Sequence, residues 1–173
     1  MGWFDLSRSG RHYAPLIPGS MAQLQGRVAA CLDAHGIAPT PSLQRECAAF
    51  VLWSVHVGIV NATTTEPDRW LSRWILNRQI NRIDPEGELR ALYRRRCTEA
   101  LGASPNIYLY QVRESAMPRL PVTAASAKLF LRKVADIRLS IHSPAVADML
   151  AILSDAFWAW VGRMNPRVRT SFP

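Results

Sequence analysis

The stretch that most constrains the fold is Cys47–Val60, CAAFVLWSVHVGIV, which is apolar all round a helix except at Ser54 and His56. A membrane-spanning helix requires about 20 apolar residues, and this run is shorter. A helix of this length that is apolar on every side is typical of the centre of a soluble helical domain. Because Ser42 precedes the run as a candidate N-cap, the sequence predicts a central helix over about 43–62.

Apolar residues at helical spacing predict further helices on both sides of this central one. Gly36 is expected to end the first of them, and Thr123 and Ser143 to precede the last two. The stretch 106–114 suits either a short strand or a helix, but a lone strand would have no partner, so a helix or an extended connector is preferred. The predicted helices span about 21–35, 66–83, 84–101, 124–142 and 143–164.

The chain is long enough, at 173 residues, for one domain with a substantial core. Residues 1–19 are interrupted by proline and glycine yet carry aromatic side chains, which predicts an arm that packs on the domain or on a partner. Residues 20–165 form the helical domain, and 166–173 form a short basic tail. The expected fold is all-α, a single compact domain of five or six helices around the central apolar helix.

The polar residues do not form a recognisable catalytic or metal-binding motif. The three cysteines stand far apart, so neither a disulfide nor a zinc site is expected, and the protein is expected to be cytoplasmic. His56 is expected to be a buried imidazole bonded to a neighbouring carbonyl or hydroxyl. A Cys47 or Cys31 nucleophile with His56 as its base is conceivable, but nothing local supports it. The sequence therefore predicts a protein without enzymatic activity, cofactor or metal.

The net charge of +8 favours an anionic partner. Arginine accounts for nearly all the basic residues, a bias that a GC-rich bacterial genome explains. Codon usage does not explain the net charge, which also reflects a shortage of acids. Between residues 69 and 96, eight arginines stand against three carboxylates, so this segment carries a net charge of +5.

The arginine-rich segment begins with RWLSRWILNRQINR, in which the apolar face changes side. Trp70 and Trp74 share one face of the predicted third helix, and Arg69 and Arg73 lie opposite them. After Asn77 the apolar residues occupy the other side, and the arginines take the side of the tryptophans. Either the helix breaks near Asn77, or its two halves pack on different neighbours, which can include another chain.

These features predict an interaction or adaptor protein, an accessory subunit of a larger bacterial assembly, that binds an acidic protein. A first alternative is nucleic-acid binding, with bases stacked on the tryptophans between arginines. A second is attachment to an anionic membrane surface through the Trp-rich last helix and the basic tail, with Trp158 exposed. The predicted partner-binding residues are Arg69, Arg73, Arg78, Arg82, Arg90, Arg94, Arg95 and Arg96.

Overall fold

The computed structural model of the chain describes residues 15–62, 74, 78, 80–101 and 122–164. Every regular element in these ranges is a helix, and a further helical stretch ends at Ile83. The helices pack on one another around a shared core, which confirms the predicted all-α fold. Numbered in chain order, they are α1 (Leu16–Ala34), α2 (Leu43–Ala62), α3 (Glu88–Leu101), α4 (Ala124–Ala135) and α5 (Pro144–Met164).

Helix α2 is the central helix, as its apolar sequence predicts, and it contacts all four of the other helices. Val55 and Val57 are almost completely buried, whereas Phe50, Trp53 and His56 form a half-buried stripe along the helix. Two aromatic contacts extend from it: the Trp53 ring lies 5.1 Å from that of Phe157 on α5, and the Phe50 ring lies 6.0 Å from that of Phe130 on α4. Most of the apolar surface of this helix is thus covered by the four helices around it.

Helix α1 begins earlier than predicted, at Leu16 rather than near residue 21. Pro18 stands in its first turn, where the backbone N–H groups have no partner within the helix, so a proline costs nothing there. Ile17 is buried in the core, which explains why the helix includes this turn. The last residues of the predicted arm are therefore part of the helical domain, while residues 1–14 lie outside the described ranges.

The end of α1 confirms the prediction that Gly36 stops it. Gly36 has a φ of +63°, a left-handed conformation that glycine adopts without strain. Its N–H donates to the carbonyl of Asp33 at 2.9 Å, and the N–H of Ile37 donates to that of Leu32 at 2.8 Å. This pair of bonds is the Schellman motif, in which the last carbonyls of a helix find partners.

Helix α4 begins after Thr123, whose hydroxyl accepts the N–H of Ser126, but it is shorter than predicted. It ends at Ala135 because Asp136 adopts a left-handed conformation with a φ of 51°. The predicted continuation to 142, with Ile141 on the buried stripe, was wrong. Ile141 is 48% exposed instead. Periodicity alone did not reveal this end because apolar residues continue at helical spacing beyond it.

The carbonyls at the end of α4 are bound by the turn that precedes α2. The hydroxyls of Ser42 and Thr40 donate to the carbonyl of Lys133 at 2.6 and 3.2 Å. The backbone N–H of Thr40 donates to the carbonyl of Val134 at 2.7 Å. Because these carbonyls lie in the last turn of α4, they have no partner within the helix. The turn that precedes α2 therefore caps the C-terminal end of α4.

Helix α3 begins at Glu88, not directly after Asp84 as predicted. Gly87 has a φ of +74° and turns the chain between them. The buried Asp84 carboxylate accepts the N–H groups of Leu89 and Arg90 at 3.1 and 2.9 Å. Asp84 thus does the work of an N-cap, because it binds N–H groups that have no partner within the helix. It stands four residues before the first helical residue, whereas an ordinary N-cap stands directly before it.

Helix α5 begins at Pro144 as predicted, and the stripe that includes Met149, Leu153, Phe157 and Trp160 is buried. Trp158 is half-buried, with its ring 5.2 Å from that of Phe157, so the expectation that it is exposed was wrong. Among the helices of the described ranges, none combines the length and the apolar character that crossing a bilayer requires. The predictions for 106–114, for the region around Asn77 and for the tail 166–173 lie outside the described residues.

Candidate interaction surface

The eight arginines predicted to bind a partner have different environments. Arg69 and Arg73 lie outside the described residues. Arg90 and Arg96 are half-buried and form ion pairs within the domain. The remaining four are exposed: Arg78, Arg82, Arg94 and Arg95. We call these four the exposed arginine set.

Arg96 binds the buried carboxylate of Glu46, which is 4% exposed on α2. Its Nη2 lies 2.6 Å from Glu46 Oε1, and its Nε lies 2.9 Å from Glu46 Oε2, so the contact is bidentate. Hydrogen bonding to Glu46 raises the pKa of the Arg96 guanidinium, against the opposing effect of burial. A planar guanidinium fits a carboxylate in this way, and Arg96 thereby ties α3 to α2.

Glu99 extends this network to α4. Arg96 Nη1 donates to Glu99 Oε2 at 2.8 Å, and Lys133 Nζ lies 3.3 Å from the same oxygen. Burial raises the pKa of Glu99, but hydrogen bonds from Arg96 and Lys133 and their charges outweigh it, so the pKa is lowered overall. Arg95 stands at the i, i+4 spacing that favours an ion pair with Glu99. The structure instead turns Arg96 inward.

Arg90 is the second internally paired arginine. Its Nε lies 3.7 Å from Oδ2 of Asp84, which is 4% exposed. Glu86 stands at the i, i+4 spacing that favours an ion pair with Arg90. Asp84 takes this place because its carboxylate already binds the first N–H groups of α3.

Trp74, Arg78 and Arg82 lie four residues apart in turn, so on helical geometry they share a face. Trp74 is 50% exposed, and the Arg78 guanidinium carbon lies 5.7 Å from the centroid of its ring. Ile80, in contrast, is 1% exposed and belongs to the core. Among the described residues of this stretch, the isoleucine is therefore buried, while the tryptophan and the two arginines are exposed.

Helix α3 presents Arg94 and Arg95 on its outer side. The two preceding residues, Leu92 and Tyr93, are each 7% exposed and pack in the core. The three consecutive arginines therefore have different environments. Arg96 binds Glu46, whereas Arg94 and Arg95 are exposed. Sequence spacing could not identify which of the three is structural, since its carboxylate lies on another helix.

The two cysteines and the histidine that were considered as a nucleophile and its base lie in the packed interior or at its edge. Burial and the neighbouring Glu46 charge raise the pKa of Cys47 to about 12, and burial and Asp148 raise that of Cys31. These thiols are protonated at neutral pH, whereas a nucleophile needs the thiolate. His56 is half-buried rather than buried, with its ring 6.2 Å from that of Tyr93. Within the described ranges, no group of three or more candidate ligands could hold a metal ion.

A small cavity lies between α1, α2 and α5, with a volume of about 120 Å³. Arg27 and Asp155 line it and form an ion pair at 2.8 Å, and Trp160 contributes its apolar wall. Small-molecule sites usually enclose roughly 300–1,000 Å³. This cavity is too small for most metabolites, so the exposed arginine set and Trp74 are the stronger candidate site.

Comparisons of the chain with models of known protein families, with curated proteins and with solved structures find no match.

Proposed function

We propose that this protein works by binding rather than by catalysis, as an accessory or adaptor subunit of a larger bacterial assembly in the cytoplasm. Its partner is an acidic protein, and it docks through the exposed arginine set together with Trp74. The observation that carries the proposal is the division of the arginines. The side chains of Arg90 and Arg96 bind buried carboxylates within the domain, whereas those of Arg78, Arg82, Arg94 and Arg95 are exposed at the surface.

Charge supports this proposal. Exposed ion pairs contribute little to folding, so stability does not explain four outward-facing arginines in one segment. Neighbouring like charges, such as those of Arg94 and Arg95, repel one another, and an anionic partner reduces this repulsion. The internally paired Arg96 has a supporting role, because it fixes the helix on which Arg94 and Arg95 stand. Arg69 and Arg73 remain predicted members of the docking surface.

Nucleic-acid binding is the second candidate, and one observation favours it. Trp74 is a half-exposed aromatic ring with an arginine over it, and bases stack on such rings in single-strand binding proteins. Phosphates would then take the place of the partner's carboxylates. Attachment to an anionic membrane surface is less well supported, because Trp158 packs against Phe157.

Capture of partners from native lysate tests the proposal, in parallel with and without nuclease. We expect a protein partner to be retained after nuclease treatment and to be lost when Arg94 and Arg95 are both changed to Glu. The matched control changes Arg132 and Arg138 to Glu, since these arginines are also exposed and lie elsewhere in the domain. Circular dichroism and the melting temperature should be nearly the same for all three proteins.

Three results would contradict the proposal. Full retention of the partner by the Arg94→Glu, Arg95→Glu protein would make this surface an ordinary solvated face. Equal loss in the control would show dependence on net charge alone. Loss of all captured protein after nuclease, with binding to single-stranded DNA or RNA that falls steeply with salt, would establish the nucleic-acid alternative.

A further inference from the structure

Trp74 and Arg78 form a single unit on the surface. The guanidinium carbon of Arg78 lies 5.7 Å from the centroid of the Trp74 ring, within the range of a cation–π contact. This contact restricts a long side chain that is otherwise free to move, so a ligand of Arg78 meets a partly ordered guanidinium. The contact uses the face of the ring and the charge of the arginine, and the N–H groups of the guanidinium can still bind an oxyanion.

Trp74 is also the most exposed large apolar side chain in the described part of the chain, at 50%. This exposure remains although Arg78 lies over the ring. A ligand that offered only negative charge would leave the apolar surface in water. Tryptophan and arginine are also the residue types that dominate binding energy at protein interfaces.

We propose that Trp74 and Arg78 form one composite receptor, which binds a carboxylate together with the apolar side chain next to it in an acidic segment of a partner protein. This inference rests on the proposed function and specifies the chemistry of the partner. Arg82, which is also exposed, lies one helical turn beyond Arg78 on the same face of the helix.

The acidic segment fits these residues better than a nucleic acid does. Proteins that bind single strands stack successive bases on successive aromatic rings. The Arg78 guanidinium lies over one face of the Trp74 ring, so that face is not open to a stacked base. One ring with a guanidinium over it provides an apolar contact beside an anion site, which is the arrangement that an acidic residue next to a leucine requires.

Labelled synthetic peptides test the receptor on the full-length chain by fluorescence anisotropy at low salt. The probe is a short peptide in which leucines are flanked by glutamates. The first control is the same peptide with each leucine replaced by serine, which has the same charge, and the second is oligothymidylate. We expect the wild type to bind the leucine peptide more tightly than the serine peptide.

The variants separate the apolar contact from the charge. Trp74→Ala should weaken binding of the leucine peptide by about tenfold or more, and Trp74→Phe should restore most of it. Ile141→Ala is the matched control, since Ile141 is 48% exposed and lies far along the chain; it should bind as the wild type does. Arg78→Lys keeps the charge and loses the planar fork, so it should weaken binding where Arg132→Lys does not.

The receptor is overturned if the wild type binds neither peptide, if it binds both equally, or if oligothymidylate binds more tightly than the leucine peptide. Its failure is distinct from failure of the proposed function. If Trp74→Ala retains the native partner while Arg94→Glu, Arg95→Glu loses it, the receptor is wrong and the arginine surface remains. If both variants retain the native partner, both proposals fail.

Discussion

Glu46 and Arg96 stand 50 positions apart in the chain, yet their side chains form a bidentate ion pair. The glutamate is almost entirely buried in α2, while Arg96 reaches it from α3. A carboxylate taken out of water in this way depends on its partner, because the cost of burying a charge is large unless that charge is paired and hydrogen-bonded.

Replacing Arg96 with Leu should therefore destabilise the domain strongly. The change leaves the Glu46 carboxylate buried without its main partner, and removing one member of such a pair typically costs about 3–5 kcal/mol. Arg95→Leu is the matched control and should change the free energy of unfolding by less than about 0.5 kcal/mol, since Arg95 is exposed. Urea denaturation monitored by circular dichroism measures both. Equal stability of the two variants would show that the ion pair is not structural.

Stability should fall in acid partly because of Glu99. Its pKa is lowered in the folded protein by Arg96 and Lys133, which outweigh burial. A carboxyl group with a depressed pKa stabilises the fold above its unfolded value, about 4.3, and this contribution is lost as the pH falls through the folded pKa. Thermal melts from neutral pH to about pH 2 should therefore show a smaller acid loss for Glu99→Gln than for the wild type. The prediction fails if the two curves run parallel.

Cys47 should resist alkylation in the native protein. Burial and the Glu46 charge raise its pKa to about 12, so the reactive thiolate is scarce and the sulfur is inaccessible. Iodoacetamide treatment at about pH 8, followed by mass spectrometry of peptides, should modify Cys47 only in denaturant. Alkylation at the same rate with and without denaturant would instead indicate a reactive thiol and reopen a role for it in catalysis.

Replacing Val57 with Asp should prevent folding. Val57 is completely buried in the central helix, and an unpaired carboxylate there costs several kcal/mol, a large part of the stability of a small domain. The cooperative thermal transition should disappear from the circular dichroism record. Ile141→Asp places the same charge at an exposed apolar position and should fold normally. A Val57→Asp protein that melts at the wild-type temperature would refute the assignment of α2 as the centre of the core.

The all-α fold and the central helix could be predicted because they depend on local periodicity and on residues near each helix end. The run around Val57 and the stop at Gly36 are of this kind. The end of α4 could not be predicted in the same way. The helix ends because Asp136 adopts a left-handed backbone conformation. Apolar residues continue at helical spacing beyond Asp136, so the sequence pattern gives no sign of this end.

Candidate partner-binding residues were harder to predict than helices. An arginine can either bind a carboxylate inside the domain or lie exposed on the surface, and its residue type does not distinguish the two. Arg95 and Arg96 are neighbours in an unbroken run of arginines, yet only the structure shows that Arg96 meets a buried carboxylate. That carboxylate belongs to Glu46, which lies on a different helix and 50 positions away in the chain. Whether the Trp74 ring is buried or exposed likewise depends on what packs against its helix, which the pattern of apolar residues in the sequence left open.

The hydrogen bonds between the Thr40–Ser42 turn and the carbonyl of Lys133 have a consequence for synthesis of the chain. During translation the N-terminal helices emerge from the ribosome long before residue 133 has been made. Until then the two hydroxyls lack this acceptor, and Trp53 lacks the Phe157 ring that lies against it in the finished domain. The nascent protein therefore leaves part of the apolar surface of α2 uncovered until the residues of α4 and α5 have been made, a period in which binding by a chaperone would protect it from aggregation.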